Sequence, residues 1–158
     1  MAYLIDGNNL LGRVAPHELR RKSGRDELVA KLLGFQRVTR TRIHLVFDGN
    51  LEQTPTAIEV NPKFTIHFPG EGESADDVIK AMIARQTDRR RFFVVSSDRA
   101  ISELAKKSGL RPVTSDDFAA ELKAAVKERR KQKEMEKKVE TPSALEIRLW
   151  DEVFKDKP

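Results

Sequence analysis

The chain has 158 residues, 39% hydrophobic and 35% charged, and its 30 Lys plus Arg against 25 Asp plus Glu give a net charge of +5. That suits one globular domain with a helical appendage; the positive balance points to a polyanionic partner, though many ordinary proteins are equally basic. Absence of cysteine excludes disulfides, thiolate nucleophiles and cysteine-ligated zinc; His17, His44 and His67 lack zinc-ligand spacing, and with no signal peptide or membrane span in view the expected location is cytoplasmic.

The apolar run Ala2 to Ile5 reads as a buried strand that stops at a polar turn, Asp6-Gly7-Asn8-Asn9. A basic stretch from Arg13 to Arg25 follows. Asp26 to Gln36 carries Leu28, Leu32, Leu33 and Phe35 on one side of a helix. Ile43 to Phe47 is a second strand, ending at Asp48-Gly49, which reads as a turn former or a pocket edge. Ala57 to Val60 and Lys63 to Phe68 are weaker strands, punctuated by Pro55, Pro62 and Pro69. Ser74 to Arg85 is a helix with Ala75, Val78, Ile79, Met82 and Ile83 at helical spacing, and Ser74 with Asp77 resembles a capping box. Phe92 to Val95 is a buried strand ending at Ser96-Ser97-Asp98. Ala100 to Lys107 is helical and stops at Gly109, and Leu110 to Val113 is the last strand, before Thr114-Ser115-Asp116-Asp117. Phe118, Ala119, Leu122, Ala125 and Val126 give an amphipathic helix whose apolar face fades after 126. Thr141-Pro142-Ser143 breaks the chain before a final helix holding Leu145, Leu149, Trp150, Val153 and Phe154. Alternating strands and helices predict an α/β domain over 1–126, built on a mainly parallel sheet flanked by helices, with a charged C-terminal helical extension over 127–158.

In such a sheet the strand C-terminal ends face one side, where ligands bind. Three strands here end in acids: Asp6, Asp98 and the pair Asp116 and Asp117. A further acid comes from the start of the Ser74 helix. Each alone reads as a turn or helix-start acid; their coincidence in one α/β chain points to a shared pocket. Carboxylates gathered there would repel, and a hard dication with oxygen ligands, Mg²⁺ or Mn²⁺, resolves the repulsion. Such a centre serves phosphodiester hydrolysis. On the Ser74 helix, at about 100° per residue from Ala75, Asp76 lies on the shoulder of the apolar stripe and Asp77 at about 200° faces water. Asp76 is therefore the expected ligand and Asp77 a cap; Glu73 would also be near.

Asp6-Gly7-Asn8-Asn9-Leu10-Leu11-Gly12 resembles the opening motif of NYN domains, a PIN-like nuclease group. The later order, Val46-Phe47-Asp48, then Glu73-Ser74-Ala75-Asp76-Asp77, then Ser96-Ser97-Asp98, is similar to the YacP-like branch, over roughly residues 1 to 125. The resemblance implies a PIN-like sheet and Mg²⁺- or Mn²⁺-dependent RNA cleavage, with Asp6, Asp76 and Asp98 as catalytic metal ligands. It also implies that Asn8 or Asn9 orients Asp6 or contacts substrate. At the fourth acid, Asp116 and Asp117 both fit. That branch includes a bacterial ribosome-associated endoribonuclease, which implies mRNA as substrate and the ribosome as partner.

Around the acids, phosphate binding requires cations. Arg13 and Arg99 follow strand C-terminal ends and are the leading candidates, with Arg20, Arg21, Lys22 and Arg25 behind them; Arg89-Arg90-Arg91 precedes a strand and should lie at the opposite edge. Stacking aromatics are scarce and Tyr3 is expected in the core, so binding should be led by the RNA backbone. The competing readings are a non-catalytic RNA or ribosome adaptor on the same fold and a small-molecule phosphohydrolase. A haloacid-type enzyme of the latter kind would want an acid two residues after Asp6, where Asn8 stands.

Overall fold

A computed structural model describes residues 1–18, 21–49 and 56–140, the side chains of 138–140 excepted. Arg20, Pro55 and the expected C-terminal helix with Trp150 and Phe154 lie outside the described residues. The described chain forms β1 (Ala2–Asp6), α1 (Gly7–Val14), a 3₁₀ turn (Pro16–Glu18), α2 (Lys22–Thr39), β2 (Arg42–Val46), β3 (Ala57–Asn61), β4 (Phe64–His67), α3 (Ala75–Arg85), β5 (Phe92–Val95), α4 (Arg99–Lys107), β6 (Arg111–Val113) and α5 (Ser115–Glu140).

The strands make one six-stranded sheet in the order β3-β4-β2-β1-β5-β6, parallel throughout except that β3 runs antiparallel to β4. Its register sets Asp6 opposite Val46, Val46 opposite His67, and Val95 opposite both Ile5 and Val113. The ends of β1, β2, β4, β5 and β6 thus form one row, with four helix N-termini above or beside it. This is the mainly parallel α/β arrangement expected from the alternating pattern, and the PIN-like sheet that the resemblance implies.

Side chains alternate faces along a strand, and each face packs its own core. Tyr3, Ile5, Leu45, Phe47, Phe64 and Val95 face one layer, where Leu10, Leu28, Leu32, Phe35, Phe118 and Leu122 come from α1, α2 and α5. Leu4, Val46, Phe92 and Val94 face the other, against Ile79, Met82 and Ile83 of α3 and Ile101 and Ala105 of α4. Central strands covered on both faces read as apolar runs, which is why β1 and β5 were legible, while β2 shows Ile43, Leu45 and Val46 around a half-buried His44. Tyr3 is buried, stacked on Phe93 with centroids 5.0 Å apart.

Two expectations differ from this fold. The segment expected as a polar turn after Asp6 is helical from Gly7, because the chain passes from strand to helix with Asp6 itself as the N-cap residue. That tight passage needs Gly7: a Cβ there would stand 2.8 Å from both the Phe47 ring and the Val46 carbonyl oxygen. Gly7→Ala should therefore cost about 1–3 kcal/mol, as overpacking does, read as a lowered midpoint in urea. Next, α2 begins at Lys22, a turn before the apolar periodicity does. The 3₁₀ turn supports it: the Arg21 amide donates to the Glu18 carbonyl at 3.0 Å and the Ser23 hydroxyl to the Glu18 carboxylate at 3.1 Å. Past residue 126, where its apolar face fades, α5 continues to Glu140, carried on by strongly helix-forming Lys, Glu, Arg and Ala residues.

Candidate functional site

Strand parity decides which acids can meet. Asp6 follows Leu4 on the same face of β1, so its side chain belongs to the layer of α3 and α4. It is only 8% exposed. Ser96, two residues after Val94, points the same way; it is buried, and its hydroxyl donates to Asp6 Oδ2 at 3.0 Å. Ser96 Oγ in turn accepts the Asp98 amide at 3.0 Å, so one serine joins the ends of β1 and β5. The sequence reading passed over Ser96, although its parity with Val94 was available as a signal.

Asp98 caps α4, its Oδ1 accepting the Ala100 and Ile101 amides at 2.8 and 3.2 Å. Both cap bonds fall on Oδ1, so Oδ2 takes no part in the cap. Asp76 is exposed in the first turn of α3, while Asp77 completes the capping box with Ser74: the Ser74 amide donates to Asp77 Oδ2 at 3.0 Å and the Asp77 amide to Ser74 Oγ at 3.2 Å. Those bonds hold the Asp77 carboxyl below the usual carboxylate range.

Asp6 is pushed the other way. Burial raises its pKa; the Ser96 hydroxyl and the nearby Asn9 amide oppose that, and the charges of Asp76 and Asp98 raise it further. Three of the expected acids therefore share one electrostatic neighbourhood. Asp116 and Asp117 are not among the charges that act on Asp6. They open α5, which packs on the opposite face of the sheet with Phe118 and Leu122. Asp116 Oδ2 instead lies 3.8 Å from Arg13 Nη1, both largely exposed, and the Asp117 amide donates to Thr114 Oγ1 at 3.1 Å. A strand-end position fixes the edge of the sheet, not the layer on which the following helix packs.

The asparagines are not aimed at Asp6 by their side chains. Asn8 Oδ1 accepts the Asp48 amide at 2.9 Å. Asn9 Oδ1 accepts the Ser97 amide at 2.9 Å and the Ser115 hydroxyl at 2.6 Å, lacing α1 to the β5 end and the start of α5. It is the Asn9 backbone amide that, with the Ser96 hydroxyl, helps to hold Asp6 as an anion. Arg25 donates to the Gly49 and Asp48 carbonyls at 3.2 and 2.7 Å and lies over the Phe47 ring, which makes it a tie for the turn at 48–49. Arg99 reaches back to Glu103 at 3.7 Å, and its side chain is 94% exposed. Arg21 and Lys22 are exposed at the start of α2, and Arg89, Arg90 and Arg91 are exposed at the opposite edge, as expected.

The histidines lack zinc-ligand spacing in sequence, but β2 and β4 are neighbours, and His44 Nδ1 lies 3.1 Å from His67 Nε2. Burial, then His67, then Arg42 lower the His44 pKa to about 4, so the imidazole is neutral at physiological pH.

The donor set suits a hard cation. It is all carboxylate and hydroxyl oxygen, and among the described residues neither Asp6, Asp76 nor Asp98 is paired with a Lys or Arg. No group of three His, Asp or Glu among the described residues closes into a ready-made cage. Mg²⁺ does not need one, since it keeps several waters and is held by one or two carboxylates plus substrate phosphates. A cavity of about 590 Å³, lined by Glu73, Asp77 and Arg85 among others, lies on α3 and includes none of the three acids.

Comparison with known proteins agrees with the fold. The family model described as YacP-like NYN domain matches residues 3–156. A crystal structure of Rae1 (YacP) from Bacillus subtilis is similar at TM-score 0.70 and 25% identity, over 98% of this chain and 91% of that one. A tryptophan-to-leucine mutant of the same protein is similar at TM-score 0.70 and 24% identity, over 92% of this chain and 87% of that one. No curated protein sequence matches.

Proposed function

The chain belongs to the YacP-like NYN domain family, and from that membership and the acids at the strand ends we propose that it is a metal-dependent endoribonuclease acting on single-stranded RNA. The PIN-like nuclease fold makes RNA the natural substrate class. The observation that carries the catalytic reading is Asp6: a buried carboxylate, raised in pKa, without a basic partner among the described residues, and facing two other carboxylates. A fold that stabilised only itself would gain by an uncharged residue there.

In this reading Asp6, Asp76 and Asp98 hold Mg²⁺ or Mn²⁺. When bound, the cation activates a water and neutralises charge developing on the phosphate. Ser96 fixes the Asp6 carboxylate and keeps it oriented toward the α3 and α4 N-termini. Those termini carry partial positive charge and favour anions, so they help to hold both the acids and an incoming phosphate. The resemblance to the YacP-like branch extends this reading to mRNA cleavage in a translation-linked setting, with the ribosome as partner and the cytoplasm as location. Among the described residues no helix is long and apolar enough to cross a membrane.

One observation favours a second reading, a non-catalytic RNA or ribosome adaptor: Asp98 already works as a helix cap. One assay separates the two. The full chain is incubated with end-labelled single-stranded RNA in Mg²⁺ or Mn²⁺, then in excess EDTA. Internal cleavage that EDTA abolishes and added dication restores is expected. Cleavage that persists in EDTA defeats the metal assignment, and salt-sensitive, metal-independent binding without any cleavage establishes the adaptor. Mapping mRNA ends in cells with and without the intact protein tests the translation-linked setting.

A further inference from the structure

The layer opposite the acids carries a groove of about 660 Å³ between α1, α2 and α5. Its cationic rim is Arg13, Lys31, Lys123, Lys127 and Arg130, over an apolar floor of Val14, Leu122 and Val126. No acidic side chain lines it. Lys123, Lys127 and Arg130 recur at helical spacing on α5, so they share one face, and all three are exposed and without a carboxylate partner among the described residues. Two rim cations do have weak surface partners: Lys31 lies 3.7 Å from Glu27, and Arg13 lies 3.8 Å from Asp116. Both pairs are substantially exposed, and such contacts are easily exchanged for phosphate.

We propose that this groove holds the phosphodiester backbone of the RNA segment flanking the one presented to the acids. The assignment deepens the nuclease reading and rests on it. Geometry supports the connection. Asp6 stands at the start of α1 and Arg13 near its end, about 10 Å on at 1.5 Å per residue. From Asp116 the rim continues along α5 to Arg130, about 21 Å further by the same rise. A strand leaving the acids thus meets Arg13 and then a row of unpaired cations. Cations set over a floor of aliphatic side chains, with no aromatic ring among the lining residues, suit a phosphate backbone rather than stacked bases.

The test is RNA affinity in full chains carrying Asp6→Asn, which prevents turnover during binding. Fluorescence anisotropy compares single-stranded RNAs of about 4 and about 16 nucleotides, with and without Lys123→Ala, Lys127→Ala and Arg130→Ala combined. Alanine keeps the helix, and circular dichroism verifies it. In the parent the longer RNA should bind at least about tenfold more tightly, and in the triple variant that gain from length should disappear. The slope of log affinity against log salt for the longer RNA should become shallower by about 2, at roughly 0.7 per phosphate contact on a single strand. Equal affinity and slope in the triple variant overturn the groove, even where the chain with Asp6 intact cleaves RNA. Groove-dependent binding by a chain that cleaves no RNA keeps the groove and sinks the nuclease.

Discussion

Asp6→Asn should lower RNA cleavage by about 10²–10³-fold, the loss typical of removing a group that stabilises charge in the transition state, while the protein keeps its fold. The change is nearly isosteric, and the acceptor of the Ser96 bond survives as the amide oxygen. What disappears is the charge. Stability should move in the opposite direction. The fold raises the Asp6 pKa above the ordinary value of 3.8, chiefly by burial. A group whose folded pKa exceeds its unfolded pKa destabilises the native state wherever it must ionise. The penalty is fully present above the raised value, shrinks as pH falls through it, and vanishes below the unfolded value. Asp6→Asn should therefore melt at or above the parent at neutral pH, with the gap closing in acid. Mg²⁺ or Mn²⁺ should raise the melting temperature of the parent, because a ligand of the native state stabilises it, and should do so much less for the variant. Cleavage at the parental rate by Asp6→Asn would remove Asp6 from the chemistry.

The strand-end acids show how far a sequence can be read and where it stops. β1 and β5 were plain because burial on both faces demands apolar runs, and β2 because Ile43, Leu45 and Val46 leave only His44 between them. Asp77's place in the capping box followed from a turn of helix geometry, and of the two acids it is the charge of Asp76 that acts on Asp6. The failures share a cause: a property set by long-range packing. Asp116 and Asp117 end a strand as Asp98 nearly does, but α5 leaves toward the other layer, and nothing local to residues 114–118 states which layer that is. His44 and His67 meet because β4 pairs with β2, a choice made by the whole sheet. Ser96, Ser97 and Ser115 looked like ordinary loop residues. Their hydrogen-bond partners, Asp6 and Asn9, lie at the far end of the chain. The asparagine motif at 8–9 was recognised by resemblance, but its mechanical task could not be read from it.

That task yields the second large effect. Asn9→Ala should destabilise the protein by about 2–4 kcal/mol, since it removes two hydrogen bonds and strands their donors, each unmet buried donor costing about 1–3 kcal/mol. The Ser115 hydroxyl is fully buried, and the Ser97 amide is in a partly buried position, so water replaces the lost oxygen poorly. The loss should also reach the site. Ser97 stands between Ser96, which holds Asp6, and Asp98, so loosening the end of β5 misplaces two carboxylates together. Asn8→Ala is the calibrating control: its single bond to the Asp48 amide is exposed and should cost about 0.5–1.5 kcal/mol. Urea unfolding gives both stabilities, and cleavage rates at a temperature where both variants remain folded give the functional cost. Asn9→Asp keeps the acceptor and should recover most of the stability lost in Asn9→Ala. If Asn8→Ala proves the more damaging change, or if Asn9→Asp rescues nothing, the lacing of α1, β5 and α5 through one amide oxygen is not what holds the strand ends in place.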